Sequence, residues 1–334
     1  MRKGLLAILF MLFAFAVAAQ EDDVDKLHET ARTFMRQGDY ANASLVLVRA
    51  LKLNPGNINV AKDLAFDYYL QKENDKAAAV IKPFLDENKG DDQSFQIAGM
   101  IYKAMGNFKE ADKVFKKGLK IFPKSGPLYN DYGEMLWLFK DNNAIAQWEK
   151  GIQQDPSYAN NYYNAAKYYA NTKDKVWSLI YGEIFINLDS YTARAAEIKN
   201  VLLDGYKKLF AEVDVVGDPA GKSAFELAYL NTMNKQNSVV RSGINAESLI
   251  MIRTRFILDW SREYAKKFPM ELFDLHTELL VKGLFPAYNQ WIFGAAQNLA
   301  AYQSWINIHS SEYASFNSFQ KEHLFKMPAG QYYR

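Results

Sequence analysis

Apolar positions recur along this chain every three or four residues, in runs broken by short polar turns, and that period predicts helices almost throughout. In GNFKEADKVFKKGLKIFP, Gly106 to Pro123, the residues Phe108, Ala111, Phe115, Gly118 and Leu119 share one side, lysines cover the other, and Pro123 stops the helix. GDYANASLVLVRALKLNP, Gly38 to Pro55, sets Tyr40, Ala43, Leu47, Ala50 and Leu51 at the same offsets. Between them ENDKAAAVIKPFLDENK places Ala77, Ile81, Phe84 and Leu85 in register, so the period is about 34 residues.

Each stretch has a first helix upstream: Leu27, Ala31 and Phe34; Leu64, Ala65 and Tyr68; Ala98, Gly99 and Tyr102. A fourth copy carries Tyr129, Gly133 and Leu136, then Ala144, Trp148, Gly151, Ile152 and Pro156; a fifth carries Tyr162, Ala166 and Tyr169, then the poorer VWSLIYGEIFINLDS. Glycine or alanine at Ala31, Ala65, Gly99, Gly133 and Ala166 lets two helices approach closely, and Phe115 or Trp148 fills the space beside them.

These anchors resemble the tetratricopeptide repeat family over residues 22–190, with Lys89 and Gly182 as departures from its pattern. The resemblance implies an all-α fold: a helical solenoid of about five helix-turn-helix units followed by a C-terminal helical bundle. The expected division is a signal peptide over 1–19, the solenoid over 22–190, a degenerate repeat or capping helix over 191–216, and an aromatic-rich helical domain over 222–334.

In this family binding residues lie chiefly on the first helices, which line the concave face. At those offsets stand Lys62, Phe66 and Tyr69, then Asn130 and Trp137, then Tyr163, Lys167 and Asn171. Aromatic faces among amides and cations suit an extended protein segment. The competing reading makes Phe66, Tyr69 and Trp137 core residues at a domain contact. A carboxylate clamp of the family's kind is disfavoured, because Phe66 stands where asparagine belongs.

Other chemistry finds little support. VVGDPAGKSAFE imitates a phosphate loop but has three residues between Gly217 and Gly221 instead of four, which argues against a nucleotide. His28 opens HETAR, with Arg32 where a zinc-protease motif needs histidine, and no metal or cofactor is expected. Glu271, Asp274 and Glu278 surround His276 on one predicted helix and form the best catalytic alternative, a hydrolase; three acids on a wet helix face are the plainer account. Asn245 is a predicted N-cap, Pro269 and Pro286 are placed just inside helix starts, and a hinge is expected at Ser310 and Ser311.

Composition narrows the role. There is no cysteine, so no disulfide, thiol nucleophile or lipoprotein anchor is available. Arg2 and Lys3 precede GLLAILFMLFAFAVAA, a short apolar run ending in small residues, which predicts export with cleavage near Ala19. The run is shorter than the roughly 20 residues of a comfortable span, so membrane contact is expected only before cleavage. Removing it takes the formal charge from +2 to near zero, against nucleic acid as partner. The sequence reads as a soluble, periplasmic, non-enzymatic scaffold that binds protein or peptide; the alternative is an obligate structural subunit of an envelope or secretion machine, joined through the aromatic C-terminal face.

Overall fold

The computed structural model describes residues 23–211, 214–240 and 243–334, so the predicted signal peptide lies outside the described residues. Among the described residues the chain is all helical, with 18 helices and no strand. Its contacts fall into two compact units, one ending at Pro123 and one running from Lys124 to Arg334.

The first unit holds three helix pairs: α1 (23–36) with α2 (Tyr40–Leu53), α3 (Ile58–Leu70) with α4 (Asn74–Asp86), and α5 (Asp92–Ala104) with α6 (Phe108–Ile121). Val24, Ala31, Leu47, Ala50, Val60 and Leu64 form one buried cluster across successive pairs, as a repeat that cannot bury its apolar face alone requires. Asp39, Asn57, Asp91 and Asn107 cap helix starts by accepting backbone N–H bonds. A Cβ at Gly99 would lie 2.3 Å from the Phe115 ring, so the predicted close crossing is present.

The second unit continues with α7 (Gly126–Leu138) and α8 (Ala144–Gln154), then α9 (Ala159–Ala170) and α10 (Lys175–Leu188). Here Gly133 lies under Trp148, where a Cβ would again approach to 2.3 Å. Beyond them come α11 (Ala193–Leu209), α12 (Ala224–Asn234), the short α13 (Asn237–Val240) and α14 (Ala246–Glu263). The last four are α15 (Glu271–Val281), α16 (Phe285–Gln297), α17 (Leu299–Ile308) and α18 (Ser310–Glu322).

α10 is buried almost from end to end, and Trp177, Phe225, Tyr229, Phe256, Trp260 and Phe273 build an aromatic core around it and its neighbours. Ser223 and Asn245 start α12 and α14 with reciprocal capping boxes. Pro286 stands in the first turn of α16 as predicted, but Pro269 precedes the N-cap Met270 and lies outside α15, where it restricts the approach to the helix. Gly294 is inside α16, beneath Tyr302, and the break between α17 and α18 falls at His309 instead of the two serines that follow.

Candidate functional site

The first helices of the pairs are α1, α3, α5, α7 and α9, and their polar side chains reach the neighbouring repeat. In the first unit His28 Nε2 lies 2.7 Å from Asp63, and Arg32 Nε donates to the same carboxylate at 2.8 Å. Lys62, nearly buried, donates to Asp91 and to Gln93. Burial would push the Asp91 carboxyl up, but Lys62 and Ser94 hold it below the usual range.

The second unit repeats the device with different chemistry. Asn130 is buried; its amide donates to Glu134 at 3.1 Å, while its Oδ1 accepts from Asn164 at 2.9 Å. Tyr163 donates to Glu197 at 2.5 Å, Lys167 pairs with that carboxylate at 2.8 Å, and Arg194 donates to Asn160 at 2.9 Å. Apart from the bond within α7, each joins residues separated by about one repeat period. They tie α1 to α3 and α3 to the start of α5 in the first unit, and α7 to α9 and α9 to α11 in the second.

The predicted polar residues Lys62, Asn130 and Lys167 are therefore rungs within the chain, and Asn171 donates to the Lys167 carbonyl at the end of its own helix. Their partners Asp91, Gln93, Asn164 and Glu197 were missed in the sequence, although the signal was there: a complementary side chain about one period away. The aromatic residues are differently placed. Phe66 and Tyr69 stack on each other, ring centres 6.1 Å apart, and both remain partly accessible. Trp137 is 48% exposed, with its ring edge-on to Tyr168 at 5.6 Å, and Leu138 and Phe139 beside it are exposed too. Tyr163 is partly accessible and lies beneath Lys167 and Arg194.

A second cluster went unread in the sequence. Glu183 of α10 accepts from Arg253 of α14 and from the Tyr288 hydroxyl of α16 at 2.9 Å, and lies 2.7 Å from His276 Nε2 of α15. Arg253 also donates to Asn289 at 2.6 Å, and Asn187 donates to the Tyr288 hydroxyl at 2.8 Å. Burial alone would push the Glu183 carboxyl up; Arg253 and His276 overcome it and hold the group at about 2. Burial drives His276 the other way, below its ordinary value, against the pull of the Glu183 charge. The adjoining cavity is about 10 Å³, too small for a substrate.

This placement corrects the predicted carboxylate cluster. His276 points into the core and bonds Glu183, while Asp274 is exposed and Glu278 pairs weakly with Lys282 at 3.7 Å. Helical geometry sends positions 274 and 276 to opposite sides, so the acids do not gather around the histidine.

Residues 92–125 match the family model for the tetratricopeptide repeat. No curated protein matches the sequence. Among solved structures, the chain is similar to TTC0263, a thermophilic TPR protein of Thermus thermophilus, at 16% identity over 54% of this chain and 99% of that one, with a TM-score of 0.45. A tetratricopeptide repeat protein of Parabacteroides merdae is similar at 16% identity over 77% of this chain and 98% of that one, with a TM-score of 0.43.

Proposed function

The chain belongs to the tetratricopeptide repeat family, a family of protein-interaction modules, and from that premise we propose that it is an exported scaffold that holds an extended protein segment against its first-helix face. The observation that carries this reading is the exposed apolar run Trp137, Leu138 and Phe139 at the end of α7. A tryptophan left half in water on a face otherwise tied up by polar rungs is the kind of anchor a partner covers. Asn130 and Lys167 then act by holding the first-helix face of the second unit in shape, where Tyr163 adds aromatic surface; within the first unit Lys62 does the same for its own face, which carries Phe66 and Tyr69. The leader over residues 1–19 supports a periplasmic, soluble and unlipidated product.

A photo-crosslinking amino acid at Trp137, compared with one at exposed Lys150 on α8, tests the reading. A discrete protein partner should attach at the first position and not the second. Trp137→Ala should reduce capture of that partner at least tenfold, about 1.4 kcal/mol or more, while the melting temperature stays nearly unchanged. Undiminished capture by a folded Trp137→Ala chain would remove this face from the account.

The second reading, attachment through the C-terminal aromatic face, is favoured by one observation. α17 buries none of its residues, and Leu299 and Ile308 are 58% and 78% exposed. The same crosslinker at Ile308 distinguishes the two.

A further inference from the structure

The segment after α18 leaves helical structure at His323 and runs back over the second unit. Among the described residues no backbone-to-backbone hydrogen bond ties residues 324–334 down. Side chains hold it instead: Phe325 and Met327 are buried, and the Gln331 side-chain carbonyl accepts from the Glu271 backbone at 2.6 Å. Its last two residues, Tyr333 and Arg334, meet different sets of partners.

Tyr333 lies flat on Phe225, ring centres 4.9 Å apart and planes 12° from parallel, with Phe268 edge-on at 5.5 Å. Its hydroxyl donates to the Pro269 carbonyl at 2.5 Å. The Arg334 guanidinium meets three carboxylates from three separate elements: Glu226 of α12 at 3.2 Å, Glu149 of α8 at 3.5 Å and Asp174, just before α10, at 3.7 Å. It also donates to the Tyr169 hydroxyl at 3.0 Å and lies over that ring.

Three acids do not collect on a partly buried surface without a cation to meet them. Burial and the neighbouring Glu226 push Asp174 up and burial does the same to Glu149, and in both the Arg334 charge opposes the shift. No trio of acids or histidines among the described residues is arranged to hold a metal ion, so a guanidinium is the matching cation. Glu226 is the fixed point of the arrangement, since it also accepts from the Trp177 indole at 2.8 Å and caps α12. A cleft of about 610 Å³, lined by Lys175, Lys208 and Lys222 as well as Asp174, Glu226 and Arg334, opens beside the guanidinium and leaves room for more of a chain.

We propose that this pocket is a peptide-binding site for an aromatic residue followed by arginine, which the chain fills with its own Tyr333 and Arg334 and which an equivalent segment of a protein partner can take in their place. The site is separate from the first-helix face and does not depend on that reading. Because the resident segment is anchored side chain by side chain, it can be released without unfolding the helices. Tethering gives it an effective concentration on the order of millimolar, which a competitor must match.

The test uses a labelled peptide of residues 328–334 with the full-length chain. The peptide should bind the Tyr333→Ala, Arg334→Ala chain at least tenfold more tightly than the parent, because the parent's pocket is filled. A peptide carrying Arg334→Ala should bind the vacated chain at least tenfold more weakly than the native peptide, and Asp174→Asn in the vacated chain should weaken the native peptide in the same direction. Equal affinity for parent and vacated chains, or for the two peptides, overturns the proposal. Should the vacated chain fail to fold, 3-fluorotyrosine at Tyr333 in the otherwise unaltered protein decides: millimolar peptide should move its ¹⁹F resonance toward that of free tyrosine. A resonance that stays in place overturns the proposal equally.

Discussion

Lys72 and Lys140 adopt the left-handed backbone conformation, with φ of 63° and 59°, in the turns where Gly38 and Gly106 sit at 76° and 69°. The four positions recur at the repeat period of about 34 residues, so the turn, not the residue, fixes the conformation. A side chain there costs roughly 1 to 2 kcal/mol, and glycine recovers part of that against its greater freedom when unfolded. Lys72→Gly should therefore stabilise the protein by about 0.5 to 1 kcal/mol, read as a higher urea midpoint with an unchanged slope. Asp67 of α3 is strained in another way. It is fully buried, its Oδ1 has no partner, and its Oδ2 accepts from Gln71 at 2.7 Å. Burial, opposed by the Gln71 bond and aided by the Glu73 charge, pushes it up to about 6 from 3.8. The folded state then holds the proton more tightly, so stability falls as pH rises from the lower value to the higher. After allowance for solvent screening the effect is on the order of 1 kcal/mol. Asp67→Asn should lack this term, making its melting temperature relative to the parent more favourable at pH 7.5 than at pH 4.5. A difference independent of pH would show that Asp67 titrates normally.

At the scale of helices, the 3.6-residue period and the small-to-large pairing were legible because packing imposes them on every copy. Gly99 under Phe115 and Gly133 under Trp148 follow directly. Pro269 was misplaced because proline is tolerated both just inside a helix and just before it, and the sequence alone does not separate the two. The Glu183 cluster was unread because its members come from four helices far apart in the chain. Two signals did exist. Glu183 stands alone in the otherwise apolar face of α10, and Arg253 lies on the buried stripe of α14 with Leu249, Ile252 and Phe256. Each needs the other to be tolerable in the core. Glu183→Gln leaves the Arg253 charge buried without its counter-ion, which should cost about 3 to 5 kcal/mol in urea unfolding. Glu197→Gln, at a pair whose two side chains are 42% and 44% exposed, should cost less than about 1 kcal/mol. Because Glu183 is held down at about 2, its stabilisation is present above the unfolded carboxylate value of 4.5 and is lost as pH falls toward 2. The variant should lose that part of the acid sensitivity. Similar costs for Glu183→Gln and Glu197→Gln would mean that the buried pair contributes little.

For the whole molecule, the residues beyond the repeat pattern decide where the protein works, and they are the ones packing says least about. The first-helix polar side chains were legible as a face but not as rungs, since a lysine that binds a ligand and a lysine that binds the next repeat have the same spacing. The residues before position 20 are the reverse case: they carry none of the repeat's anchors, yet their order of charge, apolar run and small residues has a chemical reading of its own. In a signal peptide a basic pair such as Arg2 and Lys3 stays on the side where the chain is made, an apolar run such as Gly4 to Ala19 enters the export machinery, and small side chains such as those of Ala18 and Ala19 fit a signal peptidase. We therefore propose that the native protein begins near Gln20, carries no acyl group because no cysteine is present to receive one, and has a formal charge near zero once two basic residues are gone. N-terminal sequencing and the intact mass of the protein recovered from its native cells check this together. An uncleaved anchor would keep Met1 or Arg2 and partition with membranes, and that result would end both the periplasmic assignment and the case for a freely diffusing scaffold.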